Sequence, residues 1–181
     1  MLTITVPEQE LYNERTEEFL TIPSSTLTLE HSLVSISKWE AKWKKPFYDK
    51  NEKTPKEVTD YIRCMCITKN VQPNVFYYLG DENLKKIQEY IADPMTATTF
   101  SNHEKGSRRQ RVITSELIYY WMISDGIPMD CEKWHINRLL TLIHVFDAEG
   151  NASKNKMSKK DIYSQNAALN AARRAKNKSR G

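Results

Sequence analysis

The sequence contains little glycine and little cysteine. Its 181 residues include five glycines and three cysteines. So few glycines leave little from which to build a phosphate-binding loop, and no glycine-rich motif occurs. The odd number of cysteines argues against a disulfide framework and indicates a reducing compartment. These shortages count against nucleotide-binding enzymes and against disulfide-rich secreted proteins.

A long apolar run is also missing. No stretch approaches the roughly 18–20 apolar residues that a membrane-spanning helix needs. The first ten residues, MLTITVPEQE, have neither a basic start nor a small-residue cleavage site, so we expect no secretory signal. The sequence therefore predicts a cytoplasmic protein that has no membrane partner.

Spacings typical of metal-binding and catalytic motifs do not occur. There is no CxxC pair and no HExxH, and Cys64 and Cys66 would point in different directions on a helix. Cys131 and His135 stand four residues apart and could form a nucleophile and its base, but no orienting third group is evident. Buried structural cysteines are the better interpretation. We predict no metal, no cofactor and no enzymatic activity.

What the sequence does contain is a β-rich start followed by helical periodicity. Residues 2–6, 19–22 and 26–29 have the β-branched content and alternation of short strands, with the polar segment 8–18 as a loop. After residue 31 the apolar spacing becomes helical. We predict a mainly α protein of the α+β class, with an N-terminal antiparallel β-sheet (1–30), a helical core of about five to six helices (31–146), and a basic C-terminal tail that could form a helix (147–181).

Residues 113–146 predict two helices folded back on each other. Gly126 and Pro128 stop the first helix, and Asp130 is a suitable N-cap for the second. The second helix is apolar over more than half its circumference, which is typical either of a deep core helix or of one pressed against another chain. Aromatic residues at helical spacing are likewise more often core or interface than ligand-stacking groups. On the interface interpretation, the predicted partner-binding residues are Leu117, Tyr120, Trp121, Trp134, Leu139 and Ile143.

The charge is concentrated at the C-terminal end. The net charge is +4, yet residues 154–180 hold nine basic side chains and one acidic one, after a predicted polar linker at 147–155. This tail and the arginine run at 108–111 would attract phosphate backbones. No nucleic-acid recognition motif accompanies them, so we favour a solvated tail or an arm that docks on an acidic partner. The tail residues predicted to make this contact are Lys159, Lys160, Arg173, Arg174, Lys176 and Lys178.

Six phrases of the sequence are distinctive as a set, and none of them is a catalytic signature. They are LTLEHSLVSISKWEAKWKKPF (27–47), DYIRCM (60–65), PMTATTF (94–100), ITSELIYYWM (113–122), KWHINRLLTLI (133–143) and MSKKDIYSQNAALNAARR (157–174). Together these phrases resemble one family, the tail assembly chaperones that long-tailed bacteriophages encode near their tape-measure protein. The resemblance covers nearly the whole chain except 8–18, 101–111 and 147–156.

The resemblance implies a non-catalytic protein of the host cytoplasm. Such a chaperone coats the apolar helices of the tape-measure protein until tail-tube subunits replace it, forms homo-oligomers, and is absent from the finished virion. Two alternatives stay open. One is a structural virion component, such as a connector or tail-completion protein, and the other is a nucleic-acid-binding protein that uses the basic tail.

Overall fold

The computed structural model describes residues 1–13, 17–99, 112–154, 163–164, 166–170 and 172–173. The arginine run at 108–111 and every predicted tail contact except Arg173 therefore lie outside the described residues. The chain divides into two units, Met1–Ile143 and His144–Gly181. In the second unit the described residues are helical, and Tyr163 and Leu169 expose their side chains.

The N-terminal strands form two antiparallel ladders. They are β1 (Leu2–Val6), β2 (Gln9–Asn13), β3 (Glu18–Ile22) and β4 (Ser25–Leu29), with β1 paired to β4 and β2 paired to β3. The paired residue numbers add up to the same value in both ladders, so both share one register. Pro7 and Pro23 lie between the two ladders and interrupt the hydrogen bonding there, because proline has no N–H to donate. The N-terminal antiparallel sheet is thus confirmed, whereas the predicted loop at 8–18 contains β2 and is corrected.

Five α-helices and two 3-10 turns follow as far as Lys154, and the described residues between 163 and 173 are helical as well. Thr54 and Thr114 cap their helices through hydrogen bonds from Glu57 N (3.3 Å) and Leu117 N (3.4 Å). Each cap supplies an acceptor to an N–H group of the first helical turn, which has no partner within the helix. The mainly α, α+β class is confirmed. The elements are α1 (Leu33–Trp43), α2 (Pro55–Met65), α3 (Asp81–Ala92), α4 (Ser115–Ser124) and α5 (Ile136–Lys154), with 3-10 turns at Pro73–Tyr77 and Met129–Lys133.

Two predicted helix boundaries are wrong. Asp130 caps no α-helix, because it lies in a 3-10 turn and α5 begins only at Ile136. The chain is extended just before α5, where His135 forms an antiparallel bridge with Ser32. At its other end α5 continues through the predicted linker as far as Lys154, since no proline occurs there to stop it.

Helix α1 lies at the centre of the core and contacts both α2 and α4. Trp39 is fully buried, and its indole N–H donates to the Glu57 carbonyl at 2.9 Å. Trp43 donates to Asp60 Oδ2 at 2.9 Å, and Lys42 forms an ion pair with the same carboxylate. The core is filled by apolar side chains from the strands and the helices, among them Ile4, Val6, Leu27, Leu29, Leu33, Ile36, Met65, Ile118, Met122 and Ile136.

A buried carboxylate joins α1 to α4. Glu40 is 7% exposed, and its Oε2 accepts hydrogen bonds from the backbone N–H of Ser115 (2.8 Å) and from the Ser115 hydroxyl. Its Oε1 accepts from the backbone N–H of Phe47 at 2.7 Å. The negative charge therefore lies at the N-terminus of α4, where the helix dipole favours it.

Replacing Glu40 with alanine should destabilise the protein by about 2–3 kcal/mol, because two buried N–H groups and one hydroxyl lose a charged acceptor. Urea denaturation followed by circular dichroism measures this change. Glu89→Ala, at an exposed position on α3, is the control and should change the free energy of unfolding by less than about 0.5 kcal/mol. Equal effects of the two substitutions would contradict the role given to Glu40.

Two buried histidines meet where the chain enters α1 and α5. The His31 and His135 rings lie 5.1 Å apart, edge to face, and Ile136 N donates to the His31 carbonyl at 2.7 Å. His31 Nδ1 is hydrogen-bonded to the Tyr61 hydroxyl. His135 Nε2 lies 3.0 Å from the Tyr90 carbonyl and must donate to it, while Nδ1 accepts from Asn137 N. Burial, and then the neighbouring His135, lowers the pKa of His31 to about 3, and burial also lowers the pKa of His135.

These shifts predict a loss of stability in mild acid. As pH falls below 6.5, both histidines become protonated in the unfolded chain but stay neutral in the folded chain. The free energy of unfolding is therefore highest above pH 6.5 and declines below it. The expected slope is at most about 1.4 kcal/mol per pH unit for each histidine. Urea denaturation between pH 6.5 and 5.5 separates this contribution from that of Glu57, whose folded pKa is lowered from 4.5 to about 2 by hydrogen bonds from Lys45 and Thr54.

Two variants test whether His31 is the source of this pH dependence. His31→Gln should flatten the dependence of the free energy of unfolding on pH over that interval. Gln88→Ala, which changes an exposed side chain of α3 that does not titrate, should leave the slope unchanged. A native slope that His31→Gln does not reduce would rule out the buried ring as its source.

Candidate partner-binding surface

The six predicted partner-binding residues divide into two groups. Leu139 is 0% exposed and Ile143 is 4% exposed, so both belong to the core. A partner cannot contact them while α5 keeps this position, and they are removed from the candidate surface. Leu117, Trp121 and Trp134 are half-buried, and Tyr120 is 62% exposed.

Helix α4 presents apolar side chains outward. Tyr120 and Ile123 are 62% and 69% exposed, and residues three positions apart are neighbours on a helix. Leu117 precedes Tyr120 by the same interval, and Trp121 borders the strip they form. We call Leu117, Tyr120, Trp121 and Ile123 the outer surface of α4. Ile123 was not among the predicted residues, although its position three residues after Tyr120 was a signal for it.

The opposite side of α4 is fixed in the core. Ser115, Ile118 and Met122 are buried there. At the C-terminal end, Gly126 takes a φ of +69°, a left-handed conformation that suits glycine, and Ile127 N then donates to the Met122 carbonyl at 2.8 Å. With Glu40 bound at the N-terminal end, both ends of α4 are held. The outer surface is therefore presented by an anchored helix.

The segment after α4 packs beside it. The Tyr119 hydroxyl donates to Glu132 Oε2 at 2.8 Å, across the short connection between α4 and the second 3-10 turn. Burial, and then this carboxylate, raises the pKa of Tyr119, so the phenol stays a donor. Trp134 is covered on one face by the Arg138 guanidinium, 4.1 Å from the ring centroid. This cation–π contact leaves Trp134 less available to a partner than Tyr120.

The possible nucleophile and base do not form a pair. Cys131 is buried, and both ring nitrogens of His135 are engaged by Tyr90 and Asn137, as described above. Cys64 and Cys66 are free thiols, and burial raises the pKa of Cys64. Within residues 1–13, 17–99, 112–154 and the described part of 163–173, no three His, Cys, Asp or Glu side chains cluster as a metal site would require.

The basic tail is represented by a single described contact residue, Arg173, which is helical and exposed. The preference for a docking arm over nucleic-acid binding stays a prediction. Across the part of the chain that the structure describes, no helix combines the length and the apolar content needed to cross a membrane. Comparisons with models of protein families, with curated proteins and with solved structures give no match.

Proposed function

We propose that this chain is a non-catalytic chaperone of phage tail assembly. It acts in the host cytoplasm, where it binds apolar helical segments of the tape-measure protein before the tail tube encloses them. Self-association into homo-oligomers is part of the proposal. The sequence resemblance supplies the biological setting, and the outer surface of α4 supplies the binding site.

The observation that carries the proposal is the exposure of Tyr120 and Ile123 on a helix whose other side is already in the core. Exposed apolar side chains that lie next to one another mark interaction sites more often than scattered ones do. Tyrosine also suits such a site, because it buries a large ring and keeps a hydroxyl for a hydrogen bond.

The chemistry of the surface favours a helical apolar partner. Leu117, Tyr120 and Ile123 recur every third residue, so they offer an elongated strip that runs obliquely across the surface of α4 rather than a pit. An amphipathic helix can lay its apolar side along such a strip, as in helix-in-groove recognition. Glu116 lies in the first turn of the helix, four residues before Tyr120, and its charge would suit a basic residue at one end of the partner segment.

Replacing both Tyr120 and Ile123 with serine should weaken binding to tape-measure fragments by at least about tenfold, because two apolar anchors at the centre of the surface are lost. Isothermal titration calorimetry or a pull-down with purified fragments measures the change. Both side chains are exposed, so the folded state should lose less than about 1 kcal/mol. Circular dichroism and urea denaturation check that the variant is folded.

Tyr77→Ser is the matched control, since Tyr77 is 66% exposed on the 3-10 turn 73–77, outside α4. Binding should survive this substitution. The proposal fails if folded native protein binds no tape-measure fragment, and the α4 assignment fails if both variants bind equally well. Mass spectrometry of purified virions separates the structural alternative, because a chaperone should be lost from the particle whereas a connector should be retained.

A further inference from the structure

The two ladders of the N-terminal sheet turn opposite sides toward the core. In the first ladder, Ile4, Val6 and Leu27 are buried. Side chains alternate along a strand, so Glu10 and Tyr12 lie on the side of the hairpin that carries Ile4 and Val6. Both are exposed nevertheless. The shared register leaves no bulge between the ladders, and strand twist, which is large in two-stranded ribbons, accounts for the change of side.

The inner side of the second ladder is packed, whereas its outer side is free. Ile22 is fully buried, and Leu11 packs against the core. On the outer side Tyr12 pairs with Phe19 across the ladder, and the two ring centroids lie 5.1 Å apart. These side chains are 54% and 71% exposed. We call the exposed side of this ladder the outer face of β2–β3, and it consists of Glu10, Tyr12, Phe19 and Thr21.

Exposed carboxylates accompany the aromatic pair. Glu8, Glu10 and Glu17 are exposed, and none of them forms an ion pair with another described residue. Residues 8–18 contain five glutamates and one arginine. Carboxylates attract lysine and arginine through charge, and aromatic ring faces attract them through cation–π contacts. The outer face of β2–β3 therefore suits a basic segment that also carries apolar side chains.

The C-terminal tail of the same sequence has the complementary composition. Nine basic residues and one acidic residue occur between 154 and 180. In the described part of the tail, Tyr163 and Leu169 expose their side chains, so apolar surface accompanies the positive charge there. Residues 8–18 and 154–180 are thus opposite in charge, and each segment offers exposed apolar side chains to a partner.

We propose that the outer face of β2–β3 in one copy of this chain binds the basic tail of a second copy. Lysine and arginine side chains of the tail lie against the rings of Tyr12 and Phe19 and pair with the neighbouring carboxylates. The inference rests on the self-association that the proposed function includes, and the client surface of α4 takes no part in it. Because the contact joins two different surfaces, it can continue into rings or chains of copies.

Sedimentation of the full chain tests the proposal. The native protein should self-associate, and its dissociation constant should rise at least about fivefold between about 50 and about 500 mM salt, because salt screens exposed charges. Tyr12→Thr combined with Phe19→Thr, the ladder variant, should weaken self-association at least about tenfold. Threonine pairs also stabilise antiparallel strands, so the ladder itself should be retained.

A second variant changes the tail. Replacing Lys159, Lys160, Arg173 and Arg174 with glutamine should weaken self-association at least about fivefold. An equimolar mixture of the ladder variant and the tail variant contains one intact outer face and one intact tail. With one variant labelled, fluorescence-detected sedimentation should show mixed association at least about fivefold tighter than the self-association of either variant alone.

Ile67→Thr is the matched control, since it removes an exposed apolar side chain beside the first ladder. This substitution should leave self-association unchanged. Circular dichroism and urea denaturation check that each variant is folded. If the ladder variant does not fold, Glu8→Gln combined with Glu10→Gln replaces it. That variant keeps both rings, and it should weaken self-association at least about twofold and flatten its salt dependence.

Three results would overturn the proposal. The first is a native chain that stays monomeric at about 100 µM in low salt, which would mean that no second copy supplies the tail. The second is self-association that the ladder variant or the tail variant leaves intact, which would assign it to another surface. The third is a mixture that associates no better than its components, which would mean that the face and the tail do not contact each other. The ladder variant should bind tape-measure fragments as the native protein does, so client binding by α4 is tested separately.

Discussion

The interaction on which the candidate surface depends is the one that Glu40 makes with the start of α4. A carboxylate removed from water is stable only if its oxygens are hydrogen-bonded, and here both are. The same charge that needs these donors lies at the positive end of a helix dipole. One side chain on α1 thereby determines where α4 begins, and the positions of Tyr120 and Ile123 follow from that start.

Local signals in the sequence predicted the helices well, because caps and apolar spacing act within a few residues. Thr54 and Thr114 are caps of this kind, since each lies directly before its helix and accepts a hydrogen bond from an N–H group of the first turn. Asp130 is the counterexample, since a good cap was overridden by a contact distant in sequence, the bridge from His135 to Ser32. A helix start that depends on a partner about a hundred residues away leaves no local mark.

The sequence could not show which sides of the helices and strands would face the core. The apolar stripes showed that α4 and α5 were widely apolar, but not which sides would face the core, so Leu139 was included and Ile123 was not. The same holds for strands. The segment 9–13 shows no clear alternation, and it forms β2 only because β3 continues the register set by β1 and β4.

The apolar outer surface of α4 is not required by the fold. Ile118 and Met122 bury the inner side of the helix, Thr114 and Glu40 satisfy its first N–H groups, and Gly126 ends it. Polar residues in place of Tyr120 and Ile123 would leave all of these interactions intact and would reduce the apolar area in contact with water. Since folding gains little from these two side chains, their exposure on an anchored helix supports the proposal that α4 is a contact surface.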